Sequence, residues 1–360
     1  MADRRLGAAE LAIPALVLGG MFRNPSGRAN AIERALDFGL DHGLHAVDTA
    51  PLYEFGAAER LLGHWLRKRR TRVTLLGKVG LRWDGDYGDV LFGTNFGGMR
   101  RVVRRDSRPQ AVRRDLEESL GRLGCETLDL VQIHQRDPHT PLAETLGELA
   151  RLREEGKLRA IGVSNFSPAD LIEAETTLGG SVLASTQELY NLLERGVEGE
   201  ILPWVRARGI GFLAYSPLAR GLLAGRVGTG SLPLSDGRRT QPLFQPVNSR
   251  RVNATLESVL GPIAHAREVP IASVALAWVV ARPGVTAAIV GAQDLRQIEA
   301  AISALEVDLA PEVHAEIDER FRALALDRSA GLSLASRVTQ RLRRIGHGLR
   351  RVRERIHRRR

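Results

Sequence analysis

Asp48, Tyr53, Lys78 and His134 stand in chain order as a carboxylate, a phenol, an amine and an imidazole. Three of the four close a short apolar run: HAVDTA, TLLGK and LDLVQIH. Such a set can move protons. Free tyrosine holds its proton to a pH of about 10, too high for easy donation at neutral pH. A lysine ammonium beside it favours the phenolate and lowers that value. A carboxylate keeps the lysine charged and in place, and a histidine can hydrogen-bond an oxygen that gains negative charge. A residue that closes a buried strand points into the mouth of an α/β barrel, where barrel enzymes do their chemistry.

The elements that must hold these residues are legible as an alternation of apolar runs with helical patterns, which argues for a parallel sheet with crossover helices. The runs at 15–20, 45–49, 72–78, 127–134, 158–165, 182–187, 210–216 and 286–292 read as eight strands. Helical segments lie between them, and Gly43, Gly124 and Gly156 stand where helix C-caps are expected. The chain has 360 residues. A closed barrel takes about 250 plus insertions, so one domain is expected. Residues 81–107 and 224–250 read as long irregular loops leaving the mouth, candidates for a substrate and cofactor rim. No GxGxxG follows a strand, and no HExxH or CxxC occurs, so neither a doubly wound dinucleotide fold nor a metal site is expected.

The words around the four residues narrow the reading. Residues 46–63 read AVDTAPLYEFGAAERLLG, 126–138 ETLDLVQIHQRDP, 161–167 IGVSNFS and 213–223 LAYSPLARGLL. In these motifs the chain resembles the aldo-keto reductase family, from about Arg5 to Phe321. The resemblance implies a (β/α)8 TIM barrel floored by an N-terminal hairpin, with Asp48, Tyr53, Lys78 and His134 as catalytic residues. Tyr53 would protonate a carbonyl oxygen while a nicotinamide delivers hydride to its carbon. Ser164, Asn165 and Gln187 would hold the nicotinamide carboxamide, and Tyr215 would stack on the ring. Ser216, Leu218, Arg220 and Gly221 would run along the pyrophosphate. Gly291, Gln293 and Gln297 would meet the adenosine end. Family members often carry a cation and a final Glu-Asn there; this chain has Gln293, Ala300 and Ala301, with Arg296 as the nearby cation. NADPH is the implied cofactor, with NADH as the alternative. A small carbonyl compound is the implied substrate, and Met21, Phe22, Trp83 and Phe92 would shape its rim.

The formal charge of +10 does not belong to the body of the chain. Residues 337–360 hold eleven Arg and one Glu, so the preceding residues balance. Whole-chain basicity is therefore no argument for a nucleic-acid enzyme. Val338, Leu342, Ile345, Leu349, Val352 and Ile356 recur at alternating spacings of four and three, a heptad stripe flanked by arginine. We read a barrel over 1–322 and a basic amphipathic extension over 323–360, suited to an anionic membrane surface or another helix, with nucleic acid as the lesser alternative for the tail. Cys125 is the sole cysteine, and MADRRLGAAEL lacks the apolar core of a signal peptide. A cytoplasmic protein, peripheral to a membrane through its tail, is the expectation. The competing reading is a nucleotide-binding regulatory or redox-sensing barrel with low turnover.

Overall fold

The computed structural model describes residues 3–7, 11–179, 183–225, 232 and 236–329. The stripe over Val338–Ile356 and the basic tail lie outside them. The chain opens with a hairpin, β1 (Arg4–Arg5) and β2 (Ala12–Ile13), paired antiparallel. β3 (Leu16–Gly19), β4 (Ala46–Asp48) and β5 (Thr74–Val79) follow. β6 (Leu81–Arg82), β7 (Val90–Phe96) and β8 (Met99–Arg105) form a separate antiparallel sheet in the order β6-β8-β7. β9 (Leu128–Ile133), β10 (Leu158–Ser164), β11 (Leu183–Leu189), β12 (Gly211–Tyr215) and β13 (Ala287–Gly291) complete the chain's strands among the described residues. The barrel closes as β10-β11-β12-β13-β3-β4-β5-β9, all parallel, and contains every one of the eight expected strands.

Helices cross between strands. α1 (Pro25–Asp41), α2 (Ala57–Leu66), α3 (Pro109–Leu123), α4 (Leu142–Glu154), α5 (Pro168–Thr177) and α6 (Ile201–Arg208) cover the first part of the barrel. α7 (Pro246–Thr255), α8 (Gly261–Ala266) and α9 (Ile271–Ala281) follow β12, and α10 (Leu295–Ala304) and α11 (Pro311–Arg322) follow β13. Inside the barrel each strand contributes one small or branched side chain to a common layer: Val17, Ala46, Leu76, Leu130, Ala160, Ala184, Leu213 and Ala287. Leu6 and Ile13 of the hairpin, both fully buried, seal this layer from below. A sealed floor leaves only the C-terminal ends of the strands open for chemistry. Residues 323–329 still lie on the barrel, where Arg251 Nη1 donates to Ala325 O at 2.7 Å and Asp327 N to Asn248 Oδ1 at 2.8 Å. Among the described residues no single helix is long and apolar enough to cross a membrane.

The expectation of an irregular loop over 81–107 is corrected. Gly97 and Gly98, with φ of 58° and 78°, make a two-residue turn between β7 and β8. Positive φ at both positions gives the turn whose twist matches a hairpin. Gly93 and Asn95 mask the strand pattern of β7, since glycine and asparagine are poor strand formers.

Candidate active site

The expected site residues gather at the C-terminal ends of the barrel strands. Asp48 ends β4, Lys78 is next to last in β5, His134 follows β9, Ser164 ends β10 and Tyr215 ends β12. Tyr53 is brought back over the mouth by a tight turn. Glu54 and Phe55 take left-handed backbone conformations, with φ of 50° and 51°, before α2 begins. Such conformations cost roughly 1–3 kcal/mol each and cluster where geometry serves function.

Lys78 is the hub. Its Nζ donates to Asp48 Oδ1, to Tyr53 OH at 3.1 Å and to Thr49 O at 3.4 Å. The Lys78 and Asp48 side chains are only 1% and 3% exposed, so their charges compensate each other in a nearly dry setting. The second Asp48 oxygen accepts from Gln187 Nε2 at 2.9 Å and Gln132 Nε2 at 3.3 Å. His134 meets Tyr53 edge-on, ring centroids 6.1 Å apart at 88°. The four side chains therefore share one small volume, with the phenol between lysine and histidine.

Electrostatics corrects one sequence expectation. Burial pushes the Tyr53 phenol above its ordinary value, and the pull of Lys78 does not cancel that. Burial alone would lower Lys78, but the Asp48 carboxylate, with Tyr53, outweighs it and raises the ammonium. Burial, then Lys78, holds His134 well below its usual range, so its imidazole is neutral. The resting site thus presents a protonated phenol, a firm ammonium and a neutral imidazole.

Beside this cluster, Asn165 takes φ of 58°. Its Nδ2 donates to His134 O and to Ser164 Oγ, each at 3.0 Å, while Oδ1 accepts from Tyr215 OH at 2.8 Å. Ser167 and Asp170 form a capping box that starts α5 directly after this turn. Glu188 secures the same turn from behind, accepting from Phe166 N at 3.1 Å and Thr186 Oγ1 at 2.7 Å, and burial pushes its carboxyl up to about 7. Ser216, Arg220 and Gly221 all have positive φ, and Leu218 lies within this coiled segment. Arg238 from the following loop donates to Arg220 O at 2.9 Å. An aromatic ring, amide side chains and the guanidinium of Arg220, with Arg238 paired to Asp236 beside it, suit a nicotinamide followed by a diphosphate.

Gln293 and Gln297 lie past Gly291, the last residue of β13. Gln297 Oε1 accepts from Gln293 N at 3.2 Å, and Asp294 caps α10. Arg296 is not the only nearby cation. Arg28 of α1 donates to Gln293 Oε1 at 3.3 Å and to Gln293 O at 3.1 Å, and Arg23 N reaches Oε1 at 3.2 Å.

Of the rim candidates, Met21 is exposed and its carbonyl accepts from Gln293 Nε2 at 3.0 Å. Phe92 lies on β7, and Trp83 packs edge-on to Phe55 at 5.2 Å. Phe22 is wholly buried in the main core. Gln132 and Glu188 were missed in the sequence. The signal for Gln132 was present: a polar residue in an apolar strand, two positions before His134 and so on the same face.

The aldo/keto reductase family model matches residues 15–321. This chain belongs to the aldo-keto reductase family. It is an NAD(P)H-dependent oxidoreductase. The reductase is 34% identical to the NADH-specific methylglyoxal reductase of Escherichia coli over 74% of this chain and 80% of that one. It is 30% identical to aldo-keto reductase YhdN of Bacillus subtilis over 83% and 86%. Among solved structures, a glycerol dehydrogenase from Gluconobacter oxydans superposes with a TM-score of 0.79 at 31% identity, covering 91% of this chain and 98% of that one. An aldo-keto reductase from Klebsiella pneumoniae in complex with NADPH gives 0.67 at 30% identity, covering 89% and 96%.

Proposed function

We propose that this reductase interconverts small carbonyl compounds and their alcohols with NADP(H), and that Tyr53 is the general acid of the reduction. The observation that carries the reading is the shared hydrogen bonding of Lys78 Nζ to Tyr53 OH and to Asp48. Nicotinamide, when bound, supplies the hydride. The chain's own task is the proton. Tyr53 gives it to the carbonyl oxygen as negative charge builds there, and Lys78 stabilises the phenolate that remains. Asp48 keeps Lys78 charged, with Gln187 and Gln132 holding the carboxylate in place. His134, neutral, donates one N–H to the same oxygen and orients the carbonyl. Ser164 and Asn165 meet the carboxamide, Tyr215 the ring, and Arg220 and Arg238 the diphosphate. Relatives named for methylglyoxal reduction and glycerol dehydrogenation favour small, oxygenated substrates.

Tyr53→Phe tests the assignment, since it keeps the ring and removes the acid. General acid catalysis contributes about 10²–10⁴-fold, so kcat on the best aldehyde found in a panel falls by that factor. Nucleotide affinity, followed by protein fluorescence quenching, persists. Near wild-type kcat in this variant rejects Tyr53 as the acid. Tight nucleotide binding with no turnover on any aldehyde, ketone or sugar rejects the enzyme reading altogether.

A further inference from the structure

The β7–β8 hairpin has one face turned to the mouth. Paired residues of antiparallel strands share a face. The pairs Phe92–Val103, Thr94–Arg101 and Phe96–Met99 therefore define it, and period two adds Arg105. Three contacts fix its direction. Val103 is fully buried, Phe96 packs on Phe55 with ring centroids 4.8 Å apart, and Arg105 Nε donates to Gln135, the neighbour of His134, at 3.2 Å.

Arg101 is the anomaly on this face. Its guanidinium lies over the Phe55 ring at 5.2 Å, two residues beyond Tyr53. Its Nε is buried without a hydrogen-bond partner, and Arg101 makes no ion pair among the described residues. Arg105, on the same face, is neutralised by Asp89 at 3.8 Å. Arg101 as a whole is half-buried, and a buried donor left idle is costly unless an acceptor meets it. Around it Phe96, Trp83 and the exposed Phe92 and Met99 offer apolar cover.

We propose that Arg101 is a specificity-determining residue that binds a carboxylate carried by the substrate, remote from the reacting carbonyl. The preferred substrates are thus aldehydes or ketones of monocarboxylic acids, with the linker laid against Phe55 and Phe96. A guanidinium fork matches a carboxylate with two parallel hydrogen bonds. One uncompensated positive charge suits a monoanion better than a phosphate dianion. The inference rests on the reading of Tyr53 as the acid of a carbonyl reductase.

The test compares para- and meta-formylbenzoate with their methyl esters, which match them in ring and aldehyde but lack the charge, and with para-formylphenyl phosphate. In the wild-type enzyme the acid exceeds its ester in kcat/KM by about tenfold or more at one ring position, the scale of a charge-assisted hydrogen bond. Arg101→Met, which keeps length and loses charge, brings the acid-to-ester ratio to about one, chiefly through KM. Arg101→Lys recovers part of it, which a merely misfolded hairpin would not allow. The inference is overturned if acid and ester are reduced alike by the wild type, if the ratio survives in Arg101→Met, or if the phosphate is the best of the three. Reduction of the esters that depends on Tyr53 but shows no charge preference overturns this inference and spares the function. Failure to reduce any of them while another aldehyde is turned over overturns this inference alone, and failure on every aldehyde, ketone and sugar, with nucleotide bound, overturns both.

Discussion

Replacing Asp48 by Asn separates the charge of the buried pair from its shape. Asparagine keeps a carbonyl oxygen for Lys78 but offers no negative charge. Lys78 would then be an ammonium with a 1% exposed side chain and only neutral acceptors: the amide, Tyr53 OH and Thr49 O. Losing the proton is its cheapest response, because desolvation acts on the charged form alone. Deprotonating an amine of ordinary value near 10.4 at pH 7 costs about 5 kcal/mol, at about 1.4 kcal/mol per unit. Breaking a buried ion pair costs roughly 3–5 kcal/mol by mutational precedent, which agrees. The pH sign follows. In the variant the folded lysine binds its proton less tightly than the unfolded one, so stability rises with pH up to the unfolded value. Equilibrium denaturation should show a deficit of about 5 kcal/mol at pH 7 that shrinks to about 2 kcal/mol at pH 9. Turnover should fall as well, since Tyr53 loses its charged partner. A deficit under about 1 kcal/mol, or one that does not change between pH 7 and pH 9, would show that solvent reaches Lys78 and that the pair is not the hub described above.

Two further outcomes follow from the site. His134, held below its ordinary value by burial and Lys78, stays neutral as pH falls through 6.5. Its imidazole NMR signals should not titrate there, and its share of the stability should decline as pH drops below 6.5, because only the unfolded chain takes up the proton; a His134 titration centred at 6.5 contradicts this. Arg28, tied to Gln293 by two hydrogen bonds, is the cation best placed at the adenosine end. Wild-type preference for NADPH over NADH in kcat/KM should lie under about 10³-fold, roughly 4 kcal/mol, and Arg28→Ala should lower it by about tenfold, the scale of one charge-assisted contact; a preference unmoved by the substitution assigns the phosphate elsewhere.

The parts of this molecule that were legible in the sequence are those whose physics is local. A strand that ends in a candidate site residue shows itself as an apolar run with a polar terminus, and those of Asp48, Lys78 and His134 each do so. Eight such runs of similar length separated by helical periods argue for a parallel sheet covered on both faces, and the motif resemblance implied its closure into a barrel. The hairpin over β7 and β8 failed that test because β7 is mostly exposed and interrupted by Gly93 and β8 is half-buried and rich in arginine, although Gly97-Gly98 marked its turn.

What stayed hidden depends on contacts between distant segments. Arg28 and Gln293 are 265 positions apart, so the sequence around Gln293 displays Arg296 but not the cation that touches it. The direction of the Tyr53 shift is hidden from the sequence for a related reason. Lys78 could be inferred as a neighbour, but how deeply the mouth is buried could not, and burial is the larger effect. That reversal bears on mechanism. A phenol lowered toward neutrality would ionise at rest and hold no proton to give. On the proposed role of Tyr53, a phenol raised by burial would keep its proton until charge develops on the substrate oxygen, and Lys78, already committed to Asp48, would then stabilise the phenolate as it forms. In that proposal the lysine acts on the transition state more than on the resting tyrosine, which is the condition under which it would accelerate the reaction rather than merely shift an equilibrium.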